Sequence, residues 1–82
     1  MSETQQQIIK AILEALSDDS AWAEPLLHGI VRLKTHPPAT LSDFEFALAF
    51  AETRHWVRGT TGKLGNRRWM LSDEGRLALP DL

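Results

Sequence analysis

An 82-residue chain with a net charge of −2 and no cysteine has room for one small core and none for a deep substrate cavity, since a domain of this size buries only roughly 60% of its unfolded surface. Neither disulfides nor thiolate-held metals can contribute, so apolar packing must carry the stability. No apolar run approaches the roughly 20 residues of a membrane span, and the polar start Ser2-Glu3-Thr4-Gln5-Gln6-Gln7 is unlike a secretory leader, so the expectation is one soluble, cytoplasmic domain over residues 1–82.

The first predicted helix carries Ile8, Ile9, Ile12, Leu13 and Leu16 on a single stripe. Ser2 and Gln5 fit a capping box at its start, Lys10 and Glu14 have the spacing of an outer-face ion pair, and Ser17-Asp18-Asp19-Ser20 ends the period. A second helix is predicted from about Ala23 to Lys34, with Pro25 tolerated in the first turn. Its apolar stripe is Leu26, Leu27, Ile30, Val31 and Leu33, and Trp22 caps the apolar end. Gly29 in its middle marks either a close helix contact or a weak point. Thr35-His36-Pro37-Pro38-Ala39 is an extended stop, because neither proline continues a helix.

The third helix begins at Thr40 or Ser42, the latter followed by Glu45 in a capping-box spacing, and runs to about Arg54. Leu41, Phe44, Ala47, Leu48, Ala51 and His55 share its predicted core side. Phe46, Ala49, Phe50 and Thr53 fall opposite, with Asp43, Glu45 and Glu52 among or beside them. Trp56-Val57-Arg58 and Arg68-Trp69-Met70-Leu71 then have the aromatic and branched composition of paired strands, and Gly59, Gly62, Gly65 and Asn66 between them suit turn positions with positive φ. Ser72 is placed to cap a short helix through Ala78, which sets Leu77 and Leu79 toward the first helix before Pro80 ends it. Leu48, Leu71, Ile12, Leu13, Val57, Ile30 and Phe44 are expected to form one core.

The predicted fold class is α+β, mainly α: three helices, a two- or three-stranded antiparallel wing, and a short C-terminal helix. This order resembles winged helix-turn-helix domains over nearly the whole chain. The wing is similar to that of MarR-like regulators, in which a short strand follows a helix, a loop closes on paired arginines, and a Leu-Thr-x-x-Gly motif comes next. Here those features are Arg67-Arg68 and Leu71-Ser72-Asp73-Glu74-Gly75, with serine in the threonine position. The resemblance implies that the third helix lies in the major groove of double-stranded DNA and that the wing arginines touch phosphate or the minor groove.

Charge distribution bears on that expectation. Residues 1–53 hold three basic side chains against eight acidic ones, whereas 54–68 hold Arg54, Arg58, Lys63, Arg67 and Arg68 with no acid. A locally positive field can therefore form on an acidic chain, and these five are the candidate DNA contacts. The bland alternative is that they are solvated charges protecting edge strands from aggregation. The outer face of the third helix lacks the arginine, asparagine and glutamine side chains that read base edges. Phe46, Ala49 and Phe50 there are candidates for a protein interface or homodimer instead, or for burial beneath another part of the chain.

Other chemistry is poorly supported. Trp22, Trp56 and Trp69 are expected as core or rim aromatics rather than base-stacking platforms. Gly59-Thr60-Thr61-Gly62-Lys63 is too short for a phosphate loop and leads into a strand. His28 and Glu24 are too few to hold a metal, no nucleophile, base and orienting group fall into a catalytic set, and no cofactor is implied.

Overall fold

The computed structural model describes residues 2–18, 20–61 and 67–82. Helix α1 spans Glu3–Ala15, strand β1 Trp22–Ala23, helix α2 Glu24–Lys34, helix α3 Leu41–Thr53, strand β2 Val57–Thr61, strand β3 Arg67–Leu71 and helix α4 Asp73–Ala78, with a final 3-10 turn at Leu79–Asp81. The sheet is antiparallel in the order β1-β3-β2. Ala23, predicted as the start of the second helix, and Trp22, predicted to cap its apolar end, form β1 instead. They make the sheet three-stranded by pairing Trp22 with Trp69 and Ala23 with Arg68.

Side-chain caps start three helices. Ser2 accepts the Gln5 N–H at 3.1 Å, Thr40 accepts that of Asp43 at 3.2 Å, and Ser72 accepts that of Gly75 at 3.0 Å. Thr40, not Ser42, is thus the cap of α3, because its extended backbone brings the hydroxyl back over the first turn. In the α2–α3 connection the buried Thr35 hydroxyl donates to the Val31 carbonyl and accepts the Ala39 N–H, both at 3.0 Å. His28 donates Nε2–H to the Ala39 carbonyl at 3.0 Å and stacks on Phe44 at a centroid distance of 4.8 Å.

One core joins the helices to the sheet. The whole predicted stripe of α1 is buried, together with Leu27 and Val31 of α2, Phe44, Ala47, Leu48 and Ala51 of α3, and Val57 and Trp69 of the sheet. Leu71 is half-buried and packs on its edge, whereas Ile30, expected within the core, is only half-buried and is not part of it. The predicted α2 stripe is too wide, since Leu26 is 59% and Leu33 84% exposed; both lie on the side of α2 turned away from α1, α3 and the sheet. Leu41 is likewise exposed, and Leu77 points to solvent while Leu79 and Leu82 pack on the core. The predicted Lys10–Glu14 pair is not formed; among the described residues the recorded ion pair is Arg67–Glu52.

The corner after α3 fixes the wing. His55 adopts φ 63°, its N–H bonds the Glu52 carbonyl at 3.0 Å, and the Trp56 N–H bonds the Ala51 carbonyl at 2.9 Å. This paired pattern is a Schellman stop, with histidine where glycine is usual. It takes His55 off the predicted core face into solvent. Ser72 then clasps the corner: its hydroxyl donates to the His55 carbonyl and its N–H to that of Trp56, the latter at 3.0 Å. Gly75 lies directly beneath, where a Cβ would overlap the Trp56 carbonyl oxygen and sit 2.6 Å from Leu71 Cδ1. The Leu71-Ser72-x-x-Gly75 motif is therefore a structural clasp. Among the other glycines, Gly59 is a strand residue rather than a turn position, Gly29 faces open space, and the expected turn residues Gly62, Gly65 and Asn66 lie outside the described residues.

Two glycine replacements should have opposite signs. Gly75→Ala forces backbone displacement and should cost at least about 2 kcal/mol, whereas Gly29→Ala adds helix propensity in open space and should gain up to about 1 kcal/mol. Urea denaturation of both variants checks this; an unaffected Gly75→Ala would contradict the clasp.

Candidate nucleic-acid interface

Strand register sorts the basic side chains onto two faces of the sheet. Arg58 opposes Met70 and Thr60 opposes Arg68, and because cross-strand partners share a face, these four side chains stand together on the side of the sheet away from the core. All four are exposed. Arg58 and Arg68 are diagonal neighbours, roughly 7–8 Å apart at the backbone, and form no ion pair among the described residues. Glu74 borders the same shallow hollow as Arg58 without pairing with it.

Arg67 is placed differently. It stands across from Thr61, on the face that carries Trp69. Its Nη2 donates to Glu52 Oε2 at 3.2 Å and its guanidinium lies 4.7 Å from the Trp69 ring centroid. Both members of the pair are about half-exposed, at 50% and 44%, so the attraction is screened and small. The pair lines an open cleft between α3 and β3 together with Leu48, Ala49, Trp69, Glu24 and Glu45. Glu24 Oε1 accepts the Trp69 indole N–H at 3.2 Å.

Arg54 caps α3, with its guanidinium 5.0 Å from the Phe50 ring. Lys63 lies outside the described residues. The five predicted basic contacts thus do not converge on one patch: Arg58 and Arg68 share the outer sheet face, Arg67 is turned to α3, and Arg54 marks the helix end.

The outer face of α3 is narrower than expected. Phe46 is 60% exposed and Ala49 is open to solvent, but Phe50 is half-buried against the core and meets Trp56 edge-on at 6.0 Å. The Schellman stop folds Trp56 back onto Phe50, which periodicity alone does not register. Thr53 donates its hydroxyl to the Ala49 carbonyl at 2.9 Å. Neither the gathering of Glu24, Glu45 and Glu52 around the α3–β3 cleft nor the Arg67–Glu52 pair is visible in the spacing of the sequence, because both depend on which sheet face meets α3.

Among the described residues, no group of three or more histidines and acids is placed to hold a metal, and no helix is long and apolar enough to cross a membrane. The three-dimensional arrangement is similar to a transcriptional regulator of the MarR family from Silicibacter pomeroyi, with a TM-score of 0.77 at 17% sequence identity over 92% of this chain. The chain spans about half of that protein, 47% of its length. The fold is accordingly that of a winged helix, mainly helical. No protein-family model matches the sequence, and no curated protein matches it.

The two phenylalanines should separate in a stability measurement. Phe50→Ala removes contacts to Trp56 and the core and should cost about 1–3 kcal/mol, while Phe46→Ala should stay within about 0.5 kcal/mol. Equal losses in thermal and urea unfolding would mean that Phe46 is covered.

Proposed function

We propose that this chain is a transcription-related winged-helix module, acting in the cytoplasm, that binds double-stranded DNA through its phosphates rather than by reading bases. The observation that carries this is the pair Arg58 and Arg68, exposed on one sheet face beside Thr60 and free of ion pairs among the described residues. Arginine offers several rigid N–H donors to phosphate oxygens, and Thr60 adds a hydroxyl. Arg54, at the end of α3, and Lys63, in the same acid-free run of sequence, are the remaining candidate contacts. Likeness to a transcriptional regulator supports the class of function. Helix α3 presents Phe46, Ala49 and Thr53, flanked by Glu45 and Glu52, so sequence preference should be weak.

A second reading uses the same fold to dock a protein or a second copy through α3. It is favoured by Phe46, which is 60% exposed, and by the exposed Ala49 on the same helix. Sedimentation of wild type and Phe46→Ser separates self-association from monomer.

For the DNA reading, log affinity for a labelled duplex should fall with log salt at a slope of about −2 to −3, reporting two or three phosphate contacts, and Arg58→Gln with Arg68→Gln should remove about 2 from that slope. Fluorescence anisotropy at several salt concentrations checks this. Absence of binding at the lowest salt, or binding indifferent to both arginines, would reject it and leave protein docking.

A further inference from the structure

Arg67 does not merely lie near Glu52; it occupies a seat fitted to a guanidinium. The Trp69 ring supplies a flat platform 4.7 Å away, and the Glu52 carboxylate anchors Nη2 at 3.2 Å. Gly59, the cross-strand partner of Trp69, keeps the space open: a Cβ there would stand 3.0 Å from Arg67 Nη2 and 3.0 Å from the indole edge. A planar cation suits this geometry as a lysine ammonium would not.

We infer that Glu52 is an internal competitor for phosphate at Arg67, an electrostatic latch that withholds one wing arginine from nucleic acid until it is displaced. The inference rests on the phosphate-binding reading above and sets how many arginines the module commits. In the latched chain the Arg67 charge is cancelled locally, and Glu24 and Glu45 in the same cleft repel an approaching phosphate. Arg67 must therefore swing out of its seat to make a contact. A half-exposed single-point pair is weak on its own, but with Glu24 and Glu45 beside it in the cleft phosphate does not compete for Arg67 while a duplex lies on the outer face of the sheet. Loss of the Glu52 charge leaves Arg67 open to a charge-assisted bond with a phosphate oxygen. Removing the Glu52 charge frees Arg67 without touching Arg58 or Arg68.

The test measures affinity for a labelled mixed-sequence duplex against salt for wild type, Glu52→Gln, Arg67→Gln, the double variant, and Glu45→Gln, with circular dichroism to verify folding. Glu52→Gln should tighten binding by about fivefold at the lowest salt and steepen the salt slope by about 0.9, the signature of one added phosphate contact. Arg67→Gln alone should leave the wild-type slope unchanged. The double variant should return to that slope, and Glu45→Gln, which removes a like charge from the same cleft, should not steepen it. An unchanged slope in Glu52→Gln, or a steepening that persists without Arg67, overturns the latch while leaving phosphate binding by Arg58 and Arg68 intact. Failure of both wild type and Glu52→Gln to bind at the lowest salt overturns the phosphate-binding reading and the latch together.

Discussion

Trp69 is the contact on which the rest of the structure depends. It sits on the central strand, 2% exposed, paired on one side with Trp22 and on the other with Gly59. Its ring closes the core where helices meet sheet, and its indole N–H reaches Glu24 at the start of α2. The outer surface of the same ring seats Arg67. Truncating a buried tryptophan typically costs about 3–5 kcal/mol, a large share of what so small a domain has to lose. One side chain thus ties the fold of the wing to the placement of its charge.

That tie explains why adjacent arginines have different surroundings. Arg67 and Arg68 follow each other on a strand, so the pleat sends them to opposite faces. Arg67 meets the carboxylates of α3, whereas Arg68 joins Arg58 in open solvent. Like charges on the outer face add to a field that extends about 10 Å at ordinary salt, while the pair at Glu52 is locally neutral. The electrostatic surface is therefore two-sided, with positive charge away from the core and carboxylates in the cleft beside α3. A duplex held by the outer face would leave Phe46 and α3 available to another molecule.

Much of this was legible in the sequence. The period of α1 marked five buried residues, aromatic and branched composition marked the hairpin, and Ser72 marked the start of α4. Features that depend on distant segments were not. The exposure of Leu26 and Leu33 follows from neighbours on only one side of α2, and a helical period reports phase rather than the width of burial. Phe50 is half-buried because His55 takes a positive φ and turns Trp56 back upon it, with no glycine to announce the stop. The basic cluster could be counted along the chain, but its division between two faces required the β2–β3 register.

The proposed phosphate site is the outer face of the sheet, where Arg58 and Arg68 stand. The most direct test is a titration of the isotopically labelled protein with a short duplex, followed by amide chemical shifts. The largest perturbations should fall on Arg58, Thr60, Arg68 and Met70, with Ser42, Ala49 and Thr53 on the outer side of α3 nearly unmoved. Perturbations concentrated on those three α3 residues, with the sheet unaffected, would contradict it.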